Sequence, residues 1–512
     1  MAFITTRSRE VYLKEETEQG VAVEPSAGSE AIAILADGFE LNGEKELVER
    51  NILTRSIAQQ IPRTGIKTAT GSIGVEWKAS GTTQNEPEYN LLYKSLLGGH
   101  KEVTEITTKT SNTANVLNLE DVDVAKLAVG DVVLVKEAGE FLVSPIKEVD
   151  TTTGDANITL LLSKKTAGSF SDNVVISKVQ VYRGENAGQK YLTISSWLDT
   201  QFKQQASGCL VSSLSVDNFS VGQIPTLNFG IEGINYIDSI DNTSGSSISG
   251  ATASTDISSS ANSDFDVALD GQDAVTVSLT VATLDTAELI AAALESGINA
   301  AVVAGSVSVT YNTATSKYEI VSNKKGAASS VVITDASEDD IATELELGTL
   351  NGGTETSGTA GNGLTSSFDV ANPPIALSAC IYLDDEEIPC TDVALSVEST
   401  LGRITSTCSP NGIISTRSTQ RAVSGSFTTY GETDSVDLYN KFNENTEFSL
   451  FAFAGIPTGV SGEIQDVVAF YVPRAIITAK PMADADGIGT YSVDFQAGFS
   501  EDANTDVVLV SI

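Results

Sequence analysis

The pattern of apolar and polar positions along this 512-residue chain is mostly that of β-strands. Short runs alternate β-branched and polar residues, and Gly, Asn and Asp interrupt them at close intervals, which is typical of strands joined by turns. Only three or four stretches carry apolar residues at helical spacing. No apolar run approaches the roughly 20 residues that a membrane-spanning helix needs. The pattern predicts a mainly β protein with a few short helices.

Two parts of the chain repeat the same order of elements, which predicts an internal duplication. Each part has an alternating strand with an aromatic residue near its end, and the strands align 350 positions apart: Ile73, Val75 and Trp77 with Val423, Gly425 and Phe427. A short amphipathic helix follows each strand, predicted over residues 86–97 and 434–442. Leu92-Tyr93 in the first helix matches Leu438-Tyr439 in the second, so the same apolar face recurs.

A first insertion separates the last matched strands. The segment 227–229 (Leu-Asn-Phe) matches 493–495 (Val-Asp-Phe) at a distance of only 266 positions, so about 80 extra residues lie within the first copy. Residues 105–185 supply them. This segment contains strand patterns of its own and no long helical run, which predicts a small all-β inserted domain.

A second insertion lies between the two copies, where the composition changes over residues 241–363. Ser-, Thr- and Gly-rich linkers flank a β-α-β pattern, with a helix predicted over 285–294 and a capping box at Asp285 and Glu288. This predicts a self-contained α+β module. The resulting domain prediction has a first repeat (1–104 and 186–240), the inserted β domain (105–185), the linker-flanked module (241–363) and a second repeat (364–512).

Taken in order, these segments resemble the major tail tube proteins of long-tailed, siphovirus-like bacteriophages in a duplicated form. The following stretches carry the resemblance: Ala31–Ile34, Glu44–Arg50, Gly71–Trp77 with its helix, Gly222–Gly230, Leu395–Glu398, Ser424–Tyr430 and Tyr491–Ala497. The resemblance implies two tandem β-sandwich or half-barrel repeats, each with one short helix. The central module is similar to the repeat module of flagellin and hook proteins, through its helix around Leu289 and its turn at 326–329.

The same resemblance implies a structural virion protein that polymerises into stacked rings, the conduit for DNA ejection into the host. Two copies per chain would fill two of six places, so homotrimeric rings with only approximate sixfold symmetry are expected. Further expected partners are the tape measure protein and the tail terminator and tip proteins, with DNA passing through the lumen without specific binding. The expected location is the virion tail, with synthesis in the host bacterial cytoplasm and no membrane contact.

The charge of the chain changes this picture in two ways. The 68 acidic and 30 basic residues leave a net charge of -38, which argues against a protein that grips nucleic acid phosphates. Two segments, 50–75 and 399–431, nevertheless contain no acid at all. We predict that both are assembly arms that contact an acidic neighbour in the next ring, through Arg50, Arg55, Arg63, Lys67, Arg403, Arg417 and Arg421. The alternative is that both are solvated Ser/Thr-rich loops.

The acidic surplus has two interpretations. Carboxylates that line a lumen would repel the phosphates of passing DNA, whereas carboxylates elsewhere would keep an abundant protein soluble before assembly. A second function class also fits serial Ser/Thr/Gly-rich β modules, namely a secreted or cell-surface adhesive protein. The charged segment 1–14 has no apolar core of a secretion signal, which counts against that class.

Candidate chemistry is sparse. The single histidine, His100, follows two glycines in a predicted loop, and Cys209, Cys380, Cys390 and Cys408 show no CxxC spacing, which indicates buried, reduced thiols. The acidic runs 384–387 and 484–487 lack the alternating oxygen ligands of a calcium loop. A glycan hydrolase would need converging carboxylates that the sequence does not display. We therefore predict no catalytic residues, no cofactor and no metal, and hence no enzyme.

Overall fold

The computed structural model describes the chain except residues 1–8, 51, 53–60, 81–84, 138–139, 153, 155, 166–167, 199–201, 241–243, 327, 360–365, 370–372, 375–379, 410–411, 432–435, 456–466, 486 and 512. The described residues lie mainly in strands, which confirms the predicted fold class. They form two compact units. The smaller unit takes its residues from within 1–10, 196–204 and 238–365, and the larger unit takes the rest.

The strands and helices follow the chain in five groups. Before the first insertion lie β1 (Arg9–Glu15), β2 (Ala31–Ile32), β3 (Phe39–Val48), β4 (Arg63–Glu76), α1 (Asn90–Leu97) and β5 (Gly98–Val103). The insertion holds β6 (Ile106–Thr107), β7 (Val116–Asn118), α2 (Asp121–Val124), β8 (Val132–Glu137), β9 (Glu140–Asp150), β10 (Asn157–Leu160) and β11 (Val175–Ser177). After it come β12 (Val179–Gly184), β13 (Leu192–Leu198), β14 (Phe202–Ser220), β15 (Thr226–Gly233) and β16 (Asn235–Ile240).

The central module and the C-terminal part complete the list. The module holds β17 (Ser246–Ile248), β18 (Asp264–Leu269), β19 (Val275–Ser278), α3 (Ala287–Ala301), β20 (Val307–Asn312), β21 (Lys317–Ser322), β22 (Val331–Thr334) and β23 (Thr354–Thr356). The C-terminal part holds β24 (Cys380–Leu383), β25 (Glu386–Glu387), β26 (Cys390–Thr405), β27 (Ile413–Tyr430), α4 (Val436–Glu444), β28 (Phe448–Ala454), β29 (Val468–Ala479), β30 (Met482–Ala485), β31 (Ile488–Ala497) and β32 (Val508–Ser511).

One antiparallel sheet, which we name the front sheet, joins the two predicted repeats. Its strand order is β3-β4-β15-β14-β26-β27-β31, and β31 pairs on its far side with the end of β29 and with β30. The first four strands come from the predicted first repeat and the others from the second. The pairing of β14 with β26 is therefore the joint between them.

A second layer, the back sheet, also crosses from one predicted repeat to the other. Its order is β24-β28-β29-β32-β12-β5, again with antiparallel neighbours only. The strand β29 belongs to both sheets, because its first residues pair with β32 and its last residues pair with β31. The strand β12 was predicted to lie in the first insertion, but it pairs with β5 and β32 and belongs to this layer.

The main hydrophobic core lies between these two sheets and is continuous across the joint. It contains Ile73 and Phe229 from the first part of the front sheet, Leu395 and Phe495 from the second, and Leu509 from the back sheet, all with at most 1% of their surface exposed. Burial of one such side chain contributes about 1.5–3 kcal/mol. A core shared in this way makes the two predicted repeats one folding unit.

The first insertion forms a small β structure against the back sheet. Its strand order is β6-β11-β8-β9-β10-β7, and it includes one four-residue helix, α2, that the alternating pattern did not predict. Its core residues, such as Leu134 and Ile158, share one cluster with Phe451, Phe453 and Val510 of the back sheet. The back sheet is consequently apolar on both faces.

The central module folds around a core of its own. The helix α3 packs on β19 and β20 between two small sheets, β20-β21-β17-β23 and β19-β18-β22. Its N-cap is Thr286, whose Oγ1 accepts a hydrogen bond from the Leu289 amide at 3.4 Å, so the predicted capping box at Asp285 is wrong by one residue. The helix also extends to Ala301, beyond the predicted end at 294.

Candidate assembly surface

The front sheet has one face in the core and one face that is polar throughout. The polar face comprises the alternate residues Glu40, Asn42, Glu44, Thr70, Ser72, Gly74, Glu76, Ser213, Ser215, Asp217, Thr226, Asn228, Gly230, Glu232, Asp392, Ala394, Ser396, Glu398, Thr400, Gln420, Ala422, Ser424, Ser426, Thr428, Ser492, Asp494 and Gln496. Most of these positions alternate with buried apolar residues, because successive side chains of a strand point to opposite faces.

The composition of this face is unusual for its extent. Its charged side chains are all carboxylates, such as Glu76, Asp217, Glu398 and Asp494, and the remainder are small or hydroxyl and amide side chains. Among the described residues in these stretches of the front sheet, Arg421 is the only Lys or Arg, and its strand position places it on the opposite face. The face can therefore repel anions, and it offers no large apolar or cationic side chain that would hold one.

The joint between β14 and β26 is fully packed. Val216 lies opposite Leu395 and Leu214 lies opposite Val397. All four side chains are at most 1% exposed. On the polar face of the same joint, Ser213 lies opposite Glu398. The joint is therefore an edge-to-edge contact between the two predicted repeats in which the strands are paired and the apolar side chains are buried.

Both outer edges of the front sheet lack a partner strand among the described residues. The first edge is β3, which pairs only with β4, and the second edge is β30 with the end of β29, which pair only with β31 along this stretch. Met482 on the second edge is 68% exposed. Open edges of this kind are templates for pairing with another chain.

Close backbone approaches reveal which residues of the two halves correspond. A Cβ atom on Gly71 would collide with the Glu40 carbonyl oxygen, and one on Gly425 would collide with the Ala394 carbonyl oxygen in the same way. These two glycines are 354 positions apart. The sequence alignment at 350 positions was therefore four residues out of register, which left every side chain on its correct face.

The two predicted arms, 50–75 and 399–431, cover the distal parts of the long hairpins β3-β4 and β26-β27, but they also take in most of β4 and all of β27, whose other ends contribute to the main core. In the first arm, Arg50 is half-buried, Arg63 and Lys67 are exposed, and Arg55 lies outside the described residues. Lys67 lies directly opposite Lys45, and no acidic partner is recorded for either among the described residues. Like charges directly opposite each other destabilise a hairpin, so neither lysine is stabilised by its cross-strand neighbour.

Two cations of the second arm, in contrast, have acidic partners within the chain. Arg403 Nη2 lies 2.8 Å from Glu232 Oε2, and Thr416 exchanges two hydrogen bonds with the Gln19 side chain. Arg417 is exposed. Arg421 was predicted to contact another ring, but its guanidinium makes a bidentate ion pair with Asp506 at 2.8 and 2.9 Å, so its charge is already matched within the chain.

Sequence reasoning missed exposed aliphatic residues at the first arm. Leu47, Val48 and Ile61 are 61%, 52% and 83% exposed. A signal was present, because Leu47 and Val48 are adjacent in a strand and cannot both face one core. An arm with both exposed cations and exposed aliphatic groups has the composition of a contact surface.

The helices α1 and α4, one in each predicted repeat, differ in how much of their apolar face is exposed. The matched residues Tyr93 and Tyr439 are 0% and 57% exposed, and Leu96 and Phe442 are 1% and 38% exposed. In the second half, the Lys480 ammonium lies over the rings of Tyr439 and Tyr491, at 5.2 and 4.3 Å from their centroids. In the second half, apolar surface beside the β30 edge is therefore exposed, whereas the equivalent surface in the first half is buried.

The remaining candidate chemistry has structural roles. His100 lies in β5 and not in a loop, and its Nε2 is 2.8 Å from Gln180 Oε1. Cys209 is buried, which raises the pKa of its thiol, Cys390 is half-buried, and Cys380 begins β24. Cys408 lies in an exposed turn, so the prediction of four buried thiols was wrong there. Asp384 and Asp484 accept backbone hydrogen bonds in turns.

The described part of the chain contains neither a metal-binding cluster nor a membrane-spanning helix. No group of three or more His, Cys, Asp or Glu side chains is arranged to hold a metal ion there. No helix in that part is both long and apolar enough to cross a membrane.

Comparisons with known proteins point to one family. A family model described as phage tail tube protein matches residues 6–339, well over half of the chain. The solved structure of the SPP1 tail tube, from solid-state NMR and cryo-electron microscopy, is similar at 14% identity, with a TM-score of 0.16, and the match covers 22% of this chain and 62% of that one. No curated protein matches the sequence.

Proposed function

The chain belongs to the phage tail tube protein family, whose members are structural and not enzymatic, and we propose that it polymerises into stacked rings that form the tube through which DNA leaves the virion. The polar face of the front sheet carries this proposal. Seven strands from both predicted repeats present a face of carboxylates and small polar groups, which suits a wall past which DNA slides. An adhesive β-protein has no need of such a face.

The number of chains in a ring follows from the duplication. If each predicted repeat occupies one of six equivalent places, three chains close a ring, because closed symmetry requires each interface to match the next. The packed joint between β14 and β26 supports this, since strands of the two predicted repeats pair edge to edge there. Cryo-electron microscopy of tubes tests the stoichiometry. Three chains per ring are expected, and six chains per ring would overturn the proposal.

We assign the polar face of the front sheet to the lumen. Double-stranded DNA carries one negative charge per about 1.7 Å, so a wall of carboxylates keeps it from adhering. Replacement of Glu398 and Asp494 by Lys should leave tubes intact but make them retain DNA at low salt. The matched control changes the exposed Asp273 and Glu338 of the central module to Lys. Equal DNA retention by both variants would remove the assignment.

We assign the contact between rings to the first arm. Arg63→Glu with Lys67→Glu should stop tube growth, while unfolding stability stays within about 1 kcal/mol because both side chains are exposed. Exposed Lys324 and Lys325 of the central module, changed to Glu, provide the matched control. Arg403 and Arg417 are assigned a smaller share, and Arg421 none. Normal tube growth in the first-arm variant, measured by electron microscopy, would contradict the assignment.

The other partners rest on family membership. A tube of this kind would enclose a tape measure protein during assembly and end on terminator and tip proteins, and the finished tube would be part of the virion tail. Co-purification of these proteins with assembled tubes, and not with dispersed chains, is the expected result.

A further inference from the structure

We propose that the open edge at β29-β30 of one chain pairs with β3 of the next chain in the register of the internal joint, with Met482 opposite Leu41 and Ala479 opposite Glu44. This inference rests on the proposed ring and adds its residue-level register. The pairing of β14 with β26 within one chain serves as the model for this pairing between two chains.

The first step is to find equivalent residues from strand pairing alone. In the first half, one row across the front sheet runs Leu41, Gly71, Ile231, Val211. In the second half, the row through the equivalent glycine runs Leu395, Gly425, Phe495, Ile477. The strands β3 and β26 therefore correspond at Leu41 and Leu395, and the strands β14 and β29 correspond at Val211 and Ile477.

The second step uses a shared irregularity. The register of β14 shifts between Val211 and Ser213, and the register of β29 shifts between Ile477 and Ala479. The same two-residue step occurs at the same place in both halves. The equivalence therefore continues along the edge, so that Ser213 corresponds to Ala479 and Val216 corresponds to Met482.

The third step applies the register of the internal joint to the contact between two chains. Within the chain, Val216 lies opposite Leu395 and Ser213 lies opposite Glu398. Their equivalents are Met482 opposite Leu41 of the next chain, and Ala479 opposite Glu44 of the next chain. Both contacts come from one register, so they stand or fall together.

Burial supports this transfer. Val216 is 0% exposed because the joint covers it, whereas its equivalent Met482 is 68% exposed. Met482 lies opposite Tyr491, whose side chain packs against the main core, so Met482 faces the core side of the sheet at an uncovered margin. The next chain would cover it with the side of β3 that carries Leu41, and the core would continue from chain to chain as it already does across the internal joint.

At the neighbouring position, the packed pair Leu214 and Val397 of the internal joint becomes Lys480 opposite Gly43 of the next chain. The Tyr236 ring occupies the space where a Cβ atom of Gly43 would lie, so the Lys480 stem would pack beside that ring.

A proline on this edge does not block the pairing. The Pro481 carbonyl accepts a hydrogen bond from the Ser492 amide at 3.1 Å. The amide and carbonyl of one strand residue point to the same side, so the missing N–H of Pro481 is on the β31 side. The outward donors of the edge belong to Lys480 and Met482 and remain free to pair.

Cysteine pairs test the register on the polar face. In a background with Cys408→Ser, Ala479→Cys with Glu44→Cys should form a disulfide in oxidised tubes and give covalent trimers on non-reducing gels, because directly opposite Cα atoms lie about 4.5–5.5 Å apart. The matched control inside one chain is Ser213→Cys with Glu398→Cys, which should close without linking chains. The register control is Ala479→Cys with Asn42→Cys, which keeps the face but shifts by two residues and should link poorly.

The outcomes separate this inference from the proposed function. Tubes with linkage only in the shifted pair, or with none while the internal control closes, overturn the register and leave the tube proposal standing. Failure of the parent chain to form tubes overturns the proposed function itself. If the cysteine variants do not fold, hydrogen exchange of the parent decides. Slowed exchange of the Lys480 and Met482 amides on tube formation is expected, and unchanged exchange contradicts the pairing.

Discussion

The two inserted segments differ in how they are tied to the rest of the chain. The core of the first insertion is shared with the back sheet, where Phe451, Phe453 and Val510 join its cluster. The core of the central module draws all its members from residues 253–347 of the described chain. The first insertion therefore shares a hydrophobic core with the larger unit, whereas the central module is stabilised by a core of its own. Position in the sequence alone does not distinguish these cases.

The largest expected effect separates the two by deletion. Val103 and Val179 are cross-strand neighbours, so removal of residues 105–178 can be closed by a short turn without breaking β5 or β12. The apolar outer face of the back sheet would then meet water, and such patches cause aggregation. We expect insoluble protein, measured by the soluble fraction and size-exclusion chromatography.

The matched deletion removes the central module. Ser246 and Thr356 are also cross-strand neighbours, so residues 247–355 can be replaced by a short linker. We expect this variant to be soluble and to form tubes, as the separate core of the module requires. Solubility of the first deletion, or insolubility of the second, would reverse the comparison.

Single core substitutions should show the same difference at a smaller scale. Phe451→Ala removes a buried ring that stacks near Tyr382, Phe453 and Tyr471, and should cost about 3–5 kcal/mol of the stability of the larger unit. Ile290→Ala in α3 should cost about 2–5 kcal/mol, confined to the module. Calorimetry should show two transitions, of which each variant lowers one. A single transition lowered by both variants would contradict two independent cores.

Buried charges should sharpen the comparison further. Asp131 is fully buried where the first insertion meets the back sheet, with Lys101 Nζ at 2.6 Å and Arg183 Nη2 at 2.7 Å. Asp131→Asn leaves two cations without their anion and should cost about 3 kcal/mol. In the described part of the module, the half-buried Asp270 accepts hydrogen bonds only from Ser322 and the Ser330 amide, so Asp270→Asn should cost about 1 kcal/mol. Urea unfolding measures both, and equal costs would argue against a special role for Asp131.

Much of the fold was predictable because strands reveal themselves locally. The strand pattern around Val132 and the helices following Trp77 and Phe427 were found from periodicity. Periodicity did not reveal that separate segments share one core. An apolar run such as 448–454 has the same sequence whether one face or both faces of the strand are covered. The correspondence of Gly71 with Gly425 was also not predicted from the sequence, since a shift by an even number of residues preserves the alternation of apolar and polar positions.

The candidate surface was predictable only in part. The absence of acids led to the prediction of both arms, but sequence composition could not show that Arg421 is matched by Asp506, which lies 85 positions away. The open edges depend on which strands meet across the joint. Such long-range pairing leaves no local pattern, so Met482 was indistinguishable from any other residue of a short strand.

The segment that follows the central module provides the smallest test, because it makes a titratable contact within the larger unit. The Asp369 amide donates to Glu88 Oε2 at 2.9 Å, and the Glu88 amide donates to Asp369 Oδ2 at 2.8 Å. The Lys78 ammonium donates to the Asp369 carbonyl at 3.0 Å. Burial, together with the neighbouring Glu88 carboxylate, raises the pKa of Asp369 to about 6.

A raised pKa means that the folded state holds a proton that the unfolded state releases near pH 4. The contact should therefore be most favourable below about pH 4 and weaken as the pH rises through about 6. Asp369→Asn keeps an acceptor for the Glu88 amide but cannot ionise. We expect it to gain about 1 kcal/mol over the parent between pH 5 and pH 7.5, after allowance for the half-exposed site. The control is Asp273→Asn on the exposed surface of the module, whose unfolding stability should follow that of the parent at both pH values. The measurement is urea unfolding at both pH values, and a parallel pH dependence of Asp369→Asn and the parent would show that the contact does not titrate in this range.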